Sequence, residues 1–318
     1  MQLYTRTERL MGSIFSFGVI TNDEKFAIDF LQLGVDEVIR LENLLSEYIP
    51  TSSTSRINQN AHHQWLSIDD ESYQLLKRCH SISKLTEGDF DISVSPLKKL
   101  YEFRKQNAHL PTEAKLKSAL KKVGYQNILF DDSNHRIKLG TNGMQISFAA
   151  IGKGYAADCV AVLWKKNGLD SGYVDASGDI RAIGLNQDGL AWKSGIANPD
   201  NLDSSILKID ISNAAIATSG ASEQFFEFMG DKYSHNINPQ TGRPVQYIKS
   251  VTVISPSAEL SDALATAVYV KGTKDGLEFI NQLPQTHAII IDDDNKLHLS
   301  NNLNYENITT HTDALLCV

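Results

Sequence analysis

Ser250-Val251-Thr252-Val253-Ile254 is a β-rich run, Pro256-Ser257 breaks it, and Ser261-Asp262-Ala263-Leu264-Ala265-Thr266 goes on as a helix. Leu260, Leu264 and Val268 recur on one face of that helix, and Gly272 closes it. Asp and Thr four residues apart lie on the same side, one turn from each other. Two hard oxygen donors on one face suit Mg²⁺ or Ca²⁺ better than a soft metal. Taken alone, the pair has a simpler reading: Asp262 serves the helix dipole in the first turn, and Thr266 is an ordinary surface residue.

Upstream, the pattern alternates between the two periods. Met11–Ile20 reads as a strand, and Asn22–Tyr48 as a long helix with Leu31, Val35, Val38, Leu41, Leu45 and Tyr48 along its stripe. Pro50–Asn58 is polar and is expected to be a loop. Helices are expected at Glu71–Leu85 and at Thr112–Val123, with Thr112 as N-cap, and a hairpin at Asn127–Phe130 and His135–Leu139. Met144–Phe148 is expected to be a strand, followed by Gly152-Lys153-Gly154 opening a helix at Tyr155–Asn167. Strand signals then follow at Gly172–Asp175, Ile180–Ile183, Trp192–Ile196, Leu207–Ile211 and Ala214–Thr218. Beyond Gly272 come a helix at Asp275–Leu283 and strands at His287–Asp292 and Leu297–Ser300. Strands outnumber helices and few connections are long enough for parallel crossovers. The expected class is α+β, with mixed or antiparallel sheets and packed helices; no linker separates two domains, and if there are two lobes they are expected to share a cleft near residues 140–150.

With 318 residues, 42% hydrophobic and 21% charged, the chain has the composition of a soluble globular protein. A net charge of −8 argues against non-specific binding of nucleic acid or anionic membranes. No window approaches the roughly 20 apolar residues of a membrane span, and Met1–Arg6 has no apolar leader, so a cytoplasmic location is expected. Cys79 and Cys159 fall in apolar helical patterns and read as buried thiols.

Several stretches carry possible chemistry. Gly152-Lys153-Gly154 before a helix resembles a phosphate cradle, or else a tight strand-to-helix turn. Asp175-Ala176-Ser177-Gly178-Asp179 brings carboxylates to a strand end, and Thr218-Ser219-Gly220-Ala221-Ser222 reads equally as a ligand wrap or a plain turn. His235 precedes an Asn-Pro…Thr-Gly turn and stands shortly upstream of Asp262 and Thr266, which makes it an acid–base candidate.

Taken in order, these pieces are similar to one family. They are Met11-Gly12-Ser13, Ser46-Glu47-Tyr48 with Ser55-Arg56-Ile57-Asn58, Gly88-Asp89-Phe90-Asp91 with Pro96-Leu97, and Lys153-Gly154-Tyr155-Ala156. Gly178-Asp179-Ile180, Thr218-Ser219-Gly220, His235 through Gly242 and Asp262 through Thr266 complete the set. From about residue 11 to 272 the chain resembles the ApbE-type FAD:protein FMN transferases, which implies two lobes around a central cofactor cleft, and 1–318 reads as a single domain of that type.

The resemblance implies a Mg²⁺-dependent enzyme that moves FMN from FAD onto a Thr or Ser hydroxyl of an acceptor flavoprotein and releases AMP. It implies Asp262 and Thr266 as metal ligands with a main-chain carbonyl of Ala149 or Ala150. Met11, Tyr48, Asp89, Phe90 and Asp91 would hold the flavin and adenine portions. Ser147, Lys153, Thr218, Ser219, Gly220, Asn236 and Ile237 would line the cofactor, and His235 would be the base or orienter for the acceptor hydroxyl, acting with Asp262. The chain departs from the family pattern at Ser147, where Asp is common, at Asn238, where Asp-Pro is usual, and at Ser177, where a second Gly is usual. Two alternatives share the same residues: an FAD pyrophosphatase that hands FMN to water, and a flavin-binding module without transfer.

Overall fold

The computed structural model describes residues 1–101, 103, 110–220, 225–228, 231–307 and 316–317. In chain order the elements begin with strands β1 (Gln2–Leu10) and β2 (Ser13–Thr21), helices α1 (Glu24–Leu45) and α2 (Ser53–Asn60), and the short β3 (Leu66–Ser67). Helices α3 (Asp70–Leu85), α4 (Ser95–Lys98) and α5 (Glu113–Leu120) follow, then the hairpin β4 (Ile128–Asp131) and β5 (Arg136–Leu139). Next come α6 (Gly152–Lys166), β6 (Gly172–Ala176), β7 (Ile180–Ile183), β8 (Trp192–Asn198), β9 (Asn201–Ile211) and β10 (Ala215–Gly220). The hairpin β11 (Phe225–Phe228) and β12 (Asp231–Ser234) precedes β13 (Ile248–Ser255). Helices α7 (Ala258–Lys271) and α8 (Thr273–Ile280) and strands β14 (His287–Asp292), β15 (Leu297–Leu299), β16 (Glu306–Asn307) and β17 (Leu316–Cys317) complete the fold.

An eight-stranded sheet in the order β1-β2-β6-β7-β10-β13-β14-β15 forms the middle layer. Every neighbouring pair in it is antiparallel. The period-two alternation of its strands feeds two different cores. On one face α1 and α6 bury Val35, Val38, Val160 and Trp164 with Phe17 and Val174, while Leu264, Val268 and Tyr269 of α7 pack on Val251 and Val253. On the other, the sheet containing β8 and β9 lays Trp192, Ile196, Leu207 and Ile209 on Tyr173, Ile180, Ile216 and Ile254. The result is the expected α+β class. Among the described residues no helix is long and apolar enough to cross a membrane.

Residues 144–151 lie at a junction. Asn58 of α2 donates to Ile146 O at 2.9 Å and accepts from Ile146 N at 2.8 Å, Ser147 N donates to Ile92 O, and Met11 lies beside Gly152. The expected strand at Met144–Phe148 is therefore absent. Its alternating Met144, Ile146 and Phe148 are buried, but an Asn side chain takes the place of a neighbouring strand.

Other boundaries differ for physical reasons. Pro50–Asn58 holds most of α2 rather than a loop: Ser52 caps it, accepting from Ser55 N at 3.0 Å, and the Thr54 hydroxyl donates to Leu45 O. Tyr48 lies beyond the end of α1 and is 87% exposed, so it is not on the buried stripe. Gly152-Lys153-Gly154 forms the first turn of α6 rather than a loop before it. Thr218-Ser219-Gly220 lies in β10 rather than in a turn, while Ala221-Ser222 falls outside the described residues. Cys79 is buried as expected, whereas Cys159 is only partly so.

Candidate functional site

The site is built on the contact between α6 and α7. Ser257 caps α7, accepting from Leu260 N at 3.2 Å, and its hydroxyl donates to Asp158 of α6 at 2.8 Å. The same Asp158 oxygen accepts Glu259 N at 2.9 Å, and its other oxygen lies 3.2 Å from the Arg181 guanidinium. Asp158 thus satisfies an orphan N–H of the neighbouring helix. Closer in, the helices touch backbone to backbone: a Cβ on Gly154 would lie 2.2 Å from Ala258 O and 2.9 Å from Asp262 Cβ. That approach brings the Asp262 carboxylate, on a residue 6% exposed, against the first turn of α6, where Gly154 N donates to it at 3.2 Å. One turn on, the Thr266 hydroxyl is 3.3 Å from Ser219 Oγ of β10. Thr218 bonds across to Thr252 at 2.7 Å.

Behind these oxygens sits an ion pair. Lys153 Nζ is 2.8 Å from Asp179 Oδ2, and Asp179 is 1% exposed. Burial raises the Asp179 carboxyl, while the Lys153 ammonium and the Thr218 backbone N–H pull it down. Nearby, Asp175 accepts from Gly178 N at 2.8 Å, with Ser177 at φ 60° completing the turn. Burial pushes the Asp175 carboxyl up to about 6 from 3.8, with Asp179 adding to the rise. The folded state therefore holds this proton more tightly than the unfolded chain. The associated stability is complete below about pH 4 and is lost as pH rises through about 6. Asp175→Asn keeps an acceptor for Gly178 and is expected to raise Tm at pH 8 but not at pH 4. Equal effects at both pH values, in thermal melts, would contradict this.

The segment carrying His235 is fixed on both sides. Ser234 Oγ accepts from Asn236 N at 3.1 Å, and Val245 N donates to Asn236 O at 2.8 Å. Ile237 bridges to Pro244. Asn238 accepts from Gln240 N and Thr241 N, so the turn keeps its side-chain acceptor, and Tyr101 OH donates to Gly242 O at 2.7 Å. His235 is half-buried between these anchors.

Residues 89–91 take separate places. Phe90 is in the core, and the buried Asp91 carboxylate accepts from Ser93 N and Tyr125 N, each at 2.8 Å. Asp89 pairs with Lys271 at the end of α7, at 2.8 Å. The structure thus brings Lys153, Thr218, Ser219, Asp262 and Thr266 together, with Ala149 and Ala150 leading into α6 and Met11 beside Gly152. It ties Asp89 to the far end of α7 and leaves Phe90 and Asp91 holding the fold. Tyr48 is exposed, next to Glu47, whose carboxylate accepts from Ser147 Oγ at 3.0 Å.

Sequence reading missed Asp158 and Glu47 as working residues and gave Asp179 no partner. Asp158 stands four residues after Gly154 on the same helix face, which is the signal that could have found it.

Carboxylate and hydroxyl oxygens on one helix, beside a backbone turn offering carbonyls, are the donor chemistry of a hard divalent cation, and they fit Mg²⁺. Among the described residues, Glu37, Glu71 and Cys159 also lie close together. There the Arg40 guanidinium already bonds both carboxylates, at 2.6 to 2.9 Å, so its charge opposes a cation.

A family model described as the ApbE family matches residues 11–291. The chain is 30% identical to the FAD:protein FMN transferase of Salmonella typhimurium, over 86% of this chain and 80% of that protein. It is also 30% identical to the FAD:protein FMN transferase of Vibrio cholerae, over 91% and 88%. The crystal structure of the ApbE protein from Thermotoga maritima superposes with a TM-score of 0.87 at 30% identity, covering 94% of this chain and 97% of that one. The flavin transferase ApbE from Vibrio cholerae gives 0.83 at 26%, with 94% and 97% covered.

Proposed function

This chain belongs to the ApbE family, and from that membership we propose that it is an FAD:protein FMN transferase. The enzyme takes FAD and an acceptor flavoprotein, joins FMN to a Thr or Ser hydroxyl of the acceptor through a phosphoester, and releases AMP. The acceptor oxygen forms a bond to the FMN phosphorus as the pyrophosphate P–O bond breaks, and the hydroxyl proton goes to a base. The observation that carries this reading is the Asp262 carboxylate held against the first turn of α6 by Gly154 N at 3.2 Å, with the Thr266 hydroxyl one turn on, 3.3 Å from Ser219 Oγ.

Asp262, Thr266 and a main-chain carbonyl of Ala149 or Ala150 would hold Mg²⁺. When bound, the ion neutralises pyrophosphate charge and stabilises the leaving phosphate. Ser219, 3.3 Å from Thr266, orients that hydroxyl. Lys153 presents a cation at the N-terminal turn of α6, and its pairing with Asp179 keeps it extended toward the sheet. By the family resemblance Met11, Tyr48, Asp89, Asn236 and Ile237 would line the FAD, with Asp89 also paired to Lys271 at the end of α7, while Phe90 and Asp91 support the fold from the core. His235, held between Ser234 and Asn236, accepts the proton of the acceptor hydroxyl.

His235→Ala is expected to leave FAD binding within about threefold while transfer falls by about 10²-fold or more. Flavin fluorescence titration and acceptor labelling measure the two separately. Binding lost in parallel with transfer would make His235 a cofactor-holding residue instead. AMP release that proceeds equally with and without acceptor would favour a pyrophosphatase.

A further inference from the structure

A carbonyl of Ala149 or Ala150 belongs to the proposed ligand set. Phe148 and Ile151 are buried and Ala150 packs on the same core, whereas Ala149 is exposed. Packing anchors the two ends of this turn, and hydrogen bonds fix the peptide at Ala149. One set comes from within, where Ile151 N and Gly152 N both reach Phe148 O. Another comes from the preceding residue: Ser147 N donates to Ile92 O at 2.9 Å, and Ala149 N donates to Ser147 Oγ at 3.3 Å. With its oxygen accepting from Ala149, the Ser147 hydroxyl spends its proton on Glu47 Oε1 at 3.0 Å.

Glu47 is itself well fixed, although it lies in the connection after α1. Ser52 Oγ donates to Ser46 O, Thr54 Oγ1 to Leu45 O, and Ser55 Oγ to Glu47 O, so α2 fastens residues 45–47 from one side. Its carboxylate also accepts from Ser95 Oγ at 3.4 Å. A charged acceptor makes the stronger kind of hydrogen bond and fixes the rotor of the hydroxyl it takes. Glu47, Ser147 and Ala149 thus form a chain from α2 to the turn that leads into α6.

We propose that Glu47 is a positioning residue for the metal-facing turn at Ala149–Ala150, acting through the Ser147 hydroxyl. The inference rests on the proposed placement of a divalent cation between that turn and Asp262. Outer partners of metal ligands set affinity without touching the ion, and their loss commonly costs about 10- to 100-fold.

The test is Mn²⁺ titration of the FAD-free protein, with free Mn²⁺ counted by electron paramagnetic resonance, alongside thermal melts. Glu47→Ala and Ser147→Ala are each expected to weaken Mn²⁺ by about tenfold or more. The double variant is expected to be no weaker than either single one, because both break the same chain. Glu47→Gln, which keeps an acceptor without charge, is expected to stay within about threefold of the parent. Glu47→Gln as weak as Glu47→Ala would overturn the proposal in favour of through-space attraction by the charge. Unchanged affinity in Ser147→Ala would overturn it as well. Asp262→Ala separates the two levels: loss of Mn²⁺ there with unchanged binding in Glu47→Ala sinks this inference alone. Mn²⁺ binding that survives Asp262→Ala sinks the metal site itself.

Discussion

Asp262→Ala is expected to reduce AMP release and acceptor labelling by about 10³-fold or more while the protein stays folded. The carboxylate is the only anion in the proposed ligand set; Thr266 and the backbone carbonyl bring dipoles alone. Losing the ion removes several kcal/mol of charge stabilisation at phosphorus, and each 1.4 kcal/mol is about tenfold in rate. Stability changes less, because the side chain fills little core volume and its loss costs hydrogen bonds, such as that from Gly154 N, rather than packing. Asp262→Asn keeps that acceptor and the shape but not the charge, and is expected to be nearly as inactive. Circular dichroism and Mn²⁺ binding on both variants separate folding from metal loss. Mg²⁺-dependent turnover at the parent rate in either one would contradict the assignment.

Gly154→Ala is expected to damage stability and activity together. The added Cβ would lie 2.2 Å from Ala258 O and 2.9 Å from Asp262 Cβ. Backbone cannot rotate aside as a flexible side chain can, so α6 and α7 must separate. Overpacking of this kind costs about 1–3 kcal/mol, and a displacement near 1 Å at a reacting centre costs about 10²-fold in rate. Gly152→Ala is the control, since its Cβ would meet only Met11 Cε at 3.6 Å and Phe148 Cβ at 3.7 Å, ordinary contacts. Thermal melts should show Tm lowered by several degrees in Gly154→Ala and almost unchanged in Gly152→Ala. Equal melts and equal rates would show that the helix contact does not set the site.

The elements that could be read from sequence are those with a clear apolar period or a β-branched run. The stripe of α1 and the nearly continuous buried run of β13 needed no partner to be recognised. The segments misread are those specified by partners far away in the chain. Residues 144–148 alternate like a strand, yet the group that satisfies Ile146 is the Asn58 amide. Residues 50–58 lack an apolar stripe, and α2 instead depends on hydroxyls bonding the backbone of the α1 end. The same distinction holds at the site. The four-residue spacing of Asp262 and Thr266 fixes their shared helix face, but alone it reads as a first-turn acid and a surface hydroxyl; the resemblance over the rest of the chain is what singles the pair out. The partnership of Lys153 with Asp179, and of Glu47 with Ser147, depends on the tertiary fold and leaves no mark in local spacing.

The most direct test is in-gel flavin fluorescence after the purified protein is incubated with FAD, Mg²⁺ and a Thr-containing acceptor domain. The account predicts a fluorescent acceptor band, equimolar AMP, and loss of both with EDTA. A labelled band that persists undiminished in EDTA, or FAD that stays bound with no AMP formed on any acceptor, would contradict metal-dependent FMN transfer.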